Sequence, residues 1–337
     1  LSLFSLEENK YFILFLILSF ILPWIHPISI LFAFSLLFYL ILINTENINL
    51  SDSKKEAILF SFFVILIINF LLYKGALLKY GSMILWQNIP STLFSSYFKN
   101  FNILEISYLI GTLPLILGII GVYFGLFKKK DNSMIFISSL ILSTFLLISL
   151  KIINLKIAIL FVSLPLLIAS SKSISVFYEY VSMTRFINFK KYFNILMIFL
   201  IIILLFIPSF LLSTSLPNYE KEANEFKWIK ENTPEDSVVL VPYNLGNTLS
   251  YFAQRKNVAD DNFLLAPNVD ERLSDIDVMY KSVFEVKRME SIKKYNVSYI
   301  YYPRTFLSTY NLSVVPYDDN NEKCFNKLTE DTYEVLC

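Results

Sequence analysis

Apolar segments follow one another along the first 215 residues of this 337-residue chain, at roughly 11–23, 28–43, 57–73, 104–127, 133–150, 154–170 and 193–213. An α-helix needs about 20 apolar residues to cross the hydrocarbon of a bilayer. Inside lipid every backbone N–H and C=O has to be paired within the chain, and a helix does this segment by segment. Residues 1–215 therefore read as a membrane domain of about seven spans. The first two segments are short and meet at "PWIHP", Pro23 to Pro27. Two prolines around Trp24 and His26 suit a tight turn at a membrane surface, where tryptophan anchors well. A re-entrant pair is the alternative for that stretch.

The remainder, residues 216–337, has a different make-up. Residues 1–215 carry 15 Lys/Arg against 8 Asp/Glu, and residues 216–337 carry 14 against 20. A near-neutral total thus hides a basic half and an acidic half. About 120 residues are enough to bury a core of their own. The expected fold class is a multi-pass α-helical membrane domain followed by a small α/β extracytoplasmic domain. The chain begins with Leu1, and residues 1–10 lack the charged start of a signal peptide,. It is expected to be the C-terminal piece of a longer protein.

Orientation follows from the cations. Lys54 and Lys55 lie in 44–56, "KKKDN" fills 128–132, and Lys172, Arg185, Lys190 and Lys191 lie in 171–192. These loops alternate with cation-poor ones, so they are expected on the cytoplasmic side. Loop 74–103, turn 151–153 and everything after about residue 214 then lie outside, in a cell membrane. Cys324 and Cys337, the two cysteines of the chain, fall on that side and flank "FNKLTEDTYEVL", which reads as strand, turn, strand. Outside the cytoplasm such a pair closes a terminal hairpin as a disulfide, the favoured reading over two free thiols. Of the sequons at Asn49, Asn296 and Asn311, the latter two are external and open to glycosylation,.

In the acidic half, "NYEKEANEFKWIKEN" places Tyr219, Ala223, Phe226 and Ile229 on one helical face,. "SVVLV" is a buried strand, a second helix is expected over "IDVMYKSVFEVKRMESIKKYN", and "VSYIYY" is a further strand. Helix–strand–helix–strand order builds a small α/β layer, and the terminal hairpin completes its sheet. Gly246, the one glycine after Gly125, lies just past the end of "SVVLV". Ligands are held at that end of open α/β sheets. Glycine there answers a positive φ, a close backbone approach, or a plain turn. In "ISYLIGTLPLILGIIGVYFGLF", Gly111, Gly118 and Gly125 recur every seven residues and Gly121–Gly125 forms a GxxxG, a helix-packing pattern,.

Several classes are excluded. There is no basic stripe or zinc spacing, so nucleic acid is not a partner. There is no P-loop, GxGxxG, HExxH or GxSxG,. His26, the single histidine, reads as interfacial.

The order last span, amphipathic helix, "ENTPEDSVVLVPYNLGNTLSYFAQRKNVADDN" resembles the C-terminal part of the oligosaccharyltransferase catalytic-subunit family, in the membrane-bound C-type glycosyltransferase superfamily. Members carry a helix, a strand and then WWDYG, whose WWD part grips the Ser or Thr of an acceptor sequon. Pro242, Tyr243, Asn244, Leu245 and Gly246 stand at that motif here. The aromatic at Tyr243 and the glycine are kept in kind. Asn244 replaces the aspartate and both Trp positions differ. The resemblance implies acceptor binding by Tyr243, Asn244 and Gly246, with Asp260 at the family's aspartate-bearing stretch. A solvated surface acid is the other reading of Asp260.

The family also has an external loop with a TIxE-like motif, whose glutamate lies near the catalytic metal and the acceptor amide. "NILE", Asn102 to Glu105, stands before the fourth apolar segment, and Glu105 is the one acid between Glu56 and Asp131. Glu105 is thereby the catalytic and metal-ligand candidate. Its alternative is an interfacial acid favoured by a helix N-terminus. A basic residue in a later span meets the lipid-linked pyrophosphate in the family. Lys156 is the match, and Lys151 snorkels to the interface, as Lys156 also does on the alternative reading,. The metal-binding aspartates of the family belong to a first external loop in an N-terminal half, and no DxD occurs in the external loops of the membrane part here.

The implied function is transfer of a sugar or oligosaccharide from a polyisoprenyl-phosphate donor, in membrane lipid, to an extracytoplasmic acceptor, with Mg or Mn as the divalent metal. The alternative is a non-catalytic scaffold or a glycan- or lipid-binding relative. A transporter is least supported, since no internal repeat is present.

Overall fold

The computed structural model describes residues 9–98, 103–183, 195, 198–199, 202–203, 210, 220–282, 284–310, 315–317 and 324–337, with the side chains of 9–11, 103–105, 156 and 308–310 outside that description. The expected span at 193–213 and the sequon at Asn311 fall wholly or mostly outside it. The chain divides into two compact units, Leu1–Trp86 with Ser95–Leu216, and Gln87–Phe94 with Pro217–Cys337.

The first unit is helical: α1 (Asn9–Ile25), α2 (Ser29–Thr45), α3 (Asp52–Tyr80), α5 (Ile103–Ile110), α6 (Thr112–Tyr123), α7 (Asn132–Ser149) and α8 (Leu155–Met183), with α4 (Ser91–Tyr97) at the division between units. Among the described residues, three stretches are long and apolar enough to cross a membrane: Asp52–Trp86, Asn132–Ser149 and Ile157–Met183. Phe12–Ile25, Ser29–Thr45 and Thr112–Lys128 are shorter apolar helices. The proline-rich turn between α1 and α2 uses His26, whose Nδ1 accepts the Ile28 N–H at 3.0 Å. Beyond residue 73, α3 continues to Tyr80 and passes into a 3-10 turn, Gly81–Trp86, where a loop was expected.

The apolar run 104–127 is not one helix. It breaks at Gly111, whose φ of +90° no L side chain adopts easily,. Beyond the break, α6 lies against α8. A Cβ at Gly118 would sit 2.7 Å from the Leu166 carbonyl oxygen, and one at Gly121 would collide with the Ala169 carbonyl. These two glycines thus let two backbones meet, as small residues do between helices in lipid. Buried hydroxyls bond back to their own helix, as from Ser138 to Met134 O at 2.7 Å and from Thr144 to Leu140 O at 2.8 Å,. Asn69 of α3 donates to Ser29 Oγ of α2 at 2.9 Å. Outward, Phe60, Phe63, Ile67, Phe70 and Leu71 of α3 are all exposed. An outside that apolar is suited to lipid.

At the start of α7, Asp131 caps the Ser133 N–H at 3.0 Å and pairs with Lys172 of α8 at 2.7 Å. The bond from Lys172 is the main reason its carboxyl lies below the usual range, with the Ser133 bond adding to it and partial burial opposing. A depressed folded-state value gives stability that is complete above the ordinary carboxylate range and is lost as pH falls through the folded value. Wild type should therefore melt higher than Asp131→Asn at neutral pH, with the gap closing as pH falls below the ordinary carboxylate range. Thermal melting in detergent across that range measures it.

The second unit is an α/β sandwich. A five-stranded sheet runs β2-β1-β3-β5-β4, with β1 Val238–Leu240, β2 Lys256–Asn257, β3 Val297–Tyr301, β4 Phe325–Lys327 and β5 Thr332–Val335. β2, β1 and β3 are parallel, and the terminal hairpin joins antiparallel. Cys324 and Cys337 are joined by a disulfide at its open end. Alternation along the strands builds two cores. Val239, Val241, Tyr299 and Tyr301 pack with Phe226 and Ile229 of α9 (Glu220–Asn232) and Leu249 of α10 (Gly246–Phe252). Leu240, Ile300 and Tyr302 face the other way, onto Ile276, Met279 and Tyr280 of α11 (Val269–Lys281) and Ile292 of α12 (Glu285–Lys294).

The single helix expected over 276–296 is thus two. The chain turns extended at Ser282, whose Oγ accepts the Phe284 N–H at 3.2 Å. A local hydroxyl bond of this kind competes with the helical one. Three elements were not foreseen, the two-residue β2, the short α10 and a short helix at Thr305–Tyr310.

Arg255, 7% exposed, closes the C-terminal end of α9. It donates to Thr233 O at 2.6 Å, Lys230 O at 2.8 Å and Thr233 Oγ1 at 3.1 Å. A guanidinium there satisfies the last carbonyls and suits the helix dipole. Arg255→Ala should cost about 2 kcal/mol, the scale of bonds to a charged donor. Faster amide exchange over 226–255 is the readout, and unchanged exchange would remove the role.

Candidate functional site

The candidate site begins where β1 ends. Val241 and Pro242 are buried, Tyr243–Leu245 form one 3-10 turn, and Gly246 opens α10. The next strand, β2, runs parallel to β1, so the segment after it, Val258–Phe263, returns to the same end of the sheet. Both segments follow the carboxyl ends of parallel strands, where side chains are free to face a ligand.

One contact locks them together. Gly246 has an ordinary helical φ of −56°. What it supplies is space: a Cβ there would lie 2.7 Å from the Ala259 carbonyl oxygen and 2.7 Å from the Asp260 Cβ. Of the three readings open from sequence, the close backbone approach describes this geometry. Asn257 holds the same place from below, donating to Gly246 O at 3.0 Å and Ser250 Oγ at 3.3 Å. Asn247 Nδ2 donates to Asp261 Oδ1. Asp260 Oδ1 accepts the Asn262 N–H at 3.0 Å.

Tyr243 stands above this floor with its ring 6.0 Å from that of Phe263. Burial pushes its phenol up from the ordinary value, and the charges of Asp261 and Asp277 act in the same direction. At physiological pH it is a neutral O–H, able to donate as well as accept. Asn244 is exposed at the tip of the turn. Tyr243, Asn244, Gly246 and Asp260 thus fall on one ledge, together with Asn247 and Asp261. Its chemistry is hydrogen bonding by a phenol, amides and carboxylates.

A second segment supports the ledge. Gln87–Phe94 belongs to this unit although it precedes the rest by more than a hundred residues. Asn88 Nδ2 donates to the carbonyls of Phe263 and Ala266, both at 3.1 Å, and Ile89 is buried. The Ser91 N–H donates to Asp270 Oδ1 at 3.3 Å. Sequence reasoning missed this arm. The usable signal was "QNIP": Gln87 and Asn88 both take positive φ, which Asn tolerates better than most residues, and Pro90 directly precedes α4,.

Glu105 and Lys156 lie in the other unit, in α5 and in the first turn of α8, and their side chains are outside the described residues. Among the described residues no group of three His, Cys, Asp or Glu side chains is placed to hold a metal ion.

A family model described as a domain of unknown function (DUF6798) matches residues 221–261, which run from the start of α9 through the ledge. No curated protein matches the chain. Among solved structures, the chain is similar to an oligosaccharyltransferase of Archaeoglobus fulgidus, solved with a tethered acceptor peptide containing the NVT sequon. Identity is 15% and the TM-score 0.49, over 83% of this chain and 44% of that one. The chain spans less than half the length of that protein.

Replacing Gly246 tests the lock. Gly246→Ala should destabilise this unit by about 1–3 kcal/mol, since backbone rather than a flexible side chain has to move. Denaturant unfolding followed by tyrosine fluorescence reads the cost, and a neutral result would show that the two segments are not in contact.

Proposed function

We propose that this chain is part of a membrane glycosyltransferase that moves a sugar or oligosaccharide from a polyisoprenyl-phosphate donor to an acceptor outside the cytoplasm. The resemblance of residues 217–262 to the oligosaccharyltransferase catalytic subunits supports the reaction class. The observation that carries the reading is the packing of Gly246 on Ala259–Asp260 at the carboxyl ends of β1 and β2. It gathers the residues at the family motif, Tyr243 and Asn244, beside the acidic stretch at Asp260.

In this reading the ledge binds acceptor. Tyr243 donates a hydrogen bond from its phenol and packs against the acceptor with its ring. Asn244, neutral where the family has a carboxylate, offers an amide, so the acceptor group it meets can be a donor or an acceptor of hydrogen bonds. Lys156 is assigned to the donor phosphate as a point charge. Glu105 is assigned to the acceptor nucleophile and to a divalent metal, which when bound would stabilise the charge developing on the leaving phosphate. The cation-rich loops support an outer-side location for this unit.

The replacement of the motif's aspartate by Asn244 favours a second reading, a non-catalytic relative that binds glycan or lipid-linked glycan on the same ledge. Transfer assays on the full-length protein, with polyisoprenyl-phosphate sugars as donors, separate the two. Tyr243→Ala should raise KM for the acceptor about tenfold with little change in kcat, as loss of uniform binding does. Lys156→Ala should act on the donor instead. Transfer that survives Tyr243→Ala, Glu105→Gln and Lys156→Ala together would refute these assignments, and binding without any turnover in wild type would select the second reading.

A further inference from the structure

The sequons stand outside the reaction proposed above. One of them, Asn296-Val297-Ser298, falls where α12 gives way to β3. Asn296 is exposed and takes a left-handed φ of 51°. The end of a helix favours asparagine in that conformation. The turn thus accounts for Asn296, but not for a hydroxyl two residues on. Ser298 is half-buried and lies where the register against β1 slips, since Val238 pairs with Val297 and Val239 with Tyr299. Pairing of β3 with β5 begins at Tyr299. Among the described residues neither the Asn296 amide nor the Ser298 hydroxyl has a hydrogen-bond partner. The fold uses neither group.

We propose that Asn296 carries an N-linked glycan, attached before β3 docks on β1. Asparagine and hydroxyl at this spacing form the acceptor that such transferases read together. The Asn296 amide nitrogen bonds to the anomeric carbon of a polyisoprenyl-phosphate-linked sugar. The bond from that carbon to the phosphate oxygen breaks, and the phosphate leaves with the electron pair. The amide proton passes to a base of the transferase. Two independent features support an outer location for this unit, the cation-rich loops and the Cys324–Cys337 disulfide,.

The timing follows from Val297. It is 5% exposed, packs in the core with Leu240, Ile292 and Ile300, and pairs with Val238. A transferase cannot engage Asn296 and Ser298 together without lifting the residue between them. The unpaired chain is therefore the substrate. β1 and β3 are parallel, so Asn296 lies at the amino end of the sheet and the ledge at the carboxyl end. A glycan there covers a turn whose preceding residue, Tyr295, is fixed by its bond to Asp275 at 2.7 Å, and it leaves the ledge open. The inference does not depend on whether this chain is itself a transferase.

The test translates the full-length protein into microsomes. Glycosidase treatment in heavy-oxygen water and peptide mass spectrometry then locate the modified asparagine. Wild type should be modified at Asn296. Ser298→Ala should abolish that modification and Ser298→Thr should keep it, while Asn49→Gln should leave it unchanged. An unmodified Asn296 in wild type, or modification there that survives Ser298→Ala, would overturn the site. For the timing, folded unmodified protein and a synthetic peptide spanning 290–302 are each offered to solubilised microsomes with lipid-linked oligosaccharide. The folded chain presents the segment only by local opening, so it should react at least about tenfold more slowly than the peptide. Equal rates would overturn the order of events, and a peptide left unmodified would overturn the acceptor itself. Melting of the unmodified protein confirms that it is folded before the assay.

Discussion

The ledge in the C-terminal unit depends on one close approach, the backbone of Gly246 against Ala259–Asp260. β1 is three residues long and β2 only two. Strands so short contribute few ladder bonds, and a parallel pair is slightly weaker per residue than an antiparallel one. What holds the segments after them side by side is the absence of a single Cβ, with Asn257 bonded to Gly246 O underneath. The direction of Tyr243, the exposure of Asn244 and the pairing of Asn247 with Asp261 all follow from where that contact puts the turn. Removal of the space at Gly246 would separate the motif from the acids it faces.

The arm at Gln87–Phe94 adds a different constraint. It is clipped to the carbonyls of Phe263 and Ala266, just beyond the acidic stretch. The ledge is therefore built from two neighbouring stretches of chain and supported by a third more than a hundred residues away. Its core is ordinary α/β packing, with Tyr280 Oη between the carbonyls of Leu240 and Tyr301 at 3.2 and 2.9 Å, tying α11 to the two central strands. The Arg255 cap keeps α9 at a fixed length beneath.

Legibility in the sequence followed the range of the interaction responsible. The helix at 220–232, the strands at 238–240 and 297–301 and the terminal hairpin rest on local periodicity and could be read directly. The break at Gly111 could not, since its seven-residue spacing with Gly118 and Gly125 reads as packing, and packing is what Gly118 and Gly121 do while Gly111 turns the chain. The division of the helix at Ser282 comes from one side-chain bond that leaves no periodic trace. β2 is too short for any pattern, and the arm at 87–94 is a long-range docking that composition does not encode. At the ledge, the glycine and the acids were legible as types, but the contact between them required a fold.

Amide hydrogen exchange of the full-length protein, with and without an acceptor peptide library, tests the central claim most directly. The account predicts slower exchange confined to 241–247 and 258–263, absent in Gly246→Ala, whose turn is displaced from the acidic stretch. Protection that appears elsewhere in the chain, or that persists in Gly246→Ala, would contradict it.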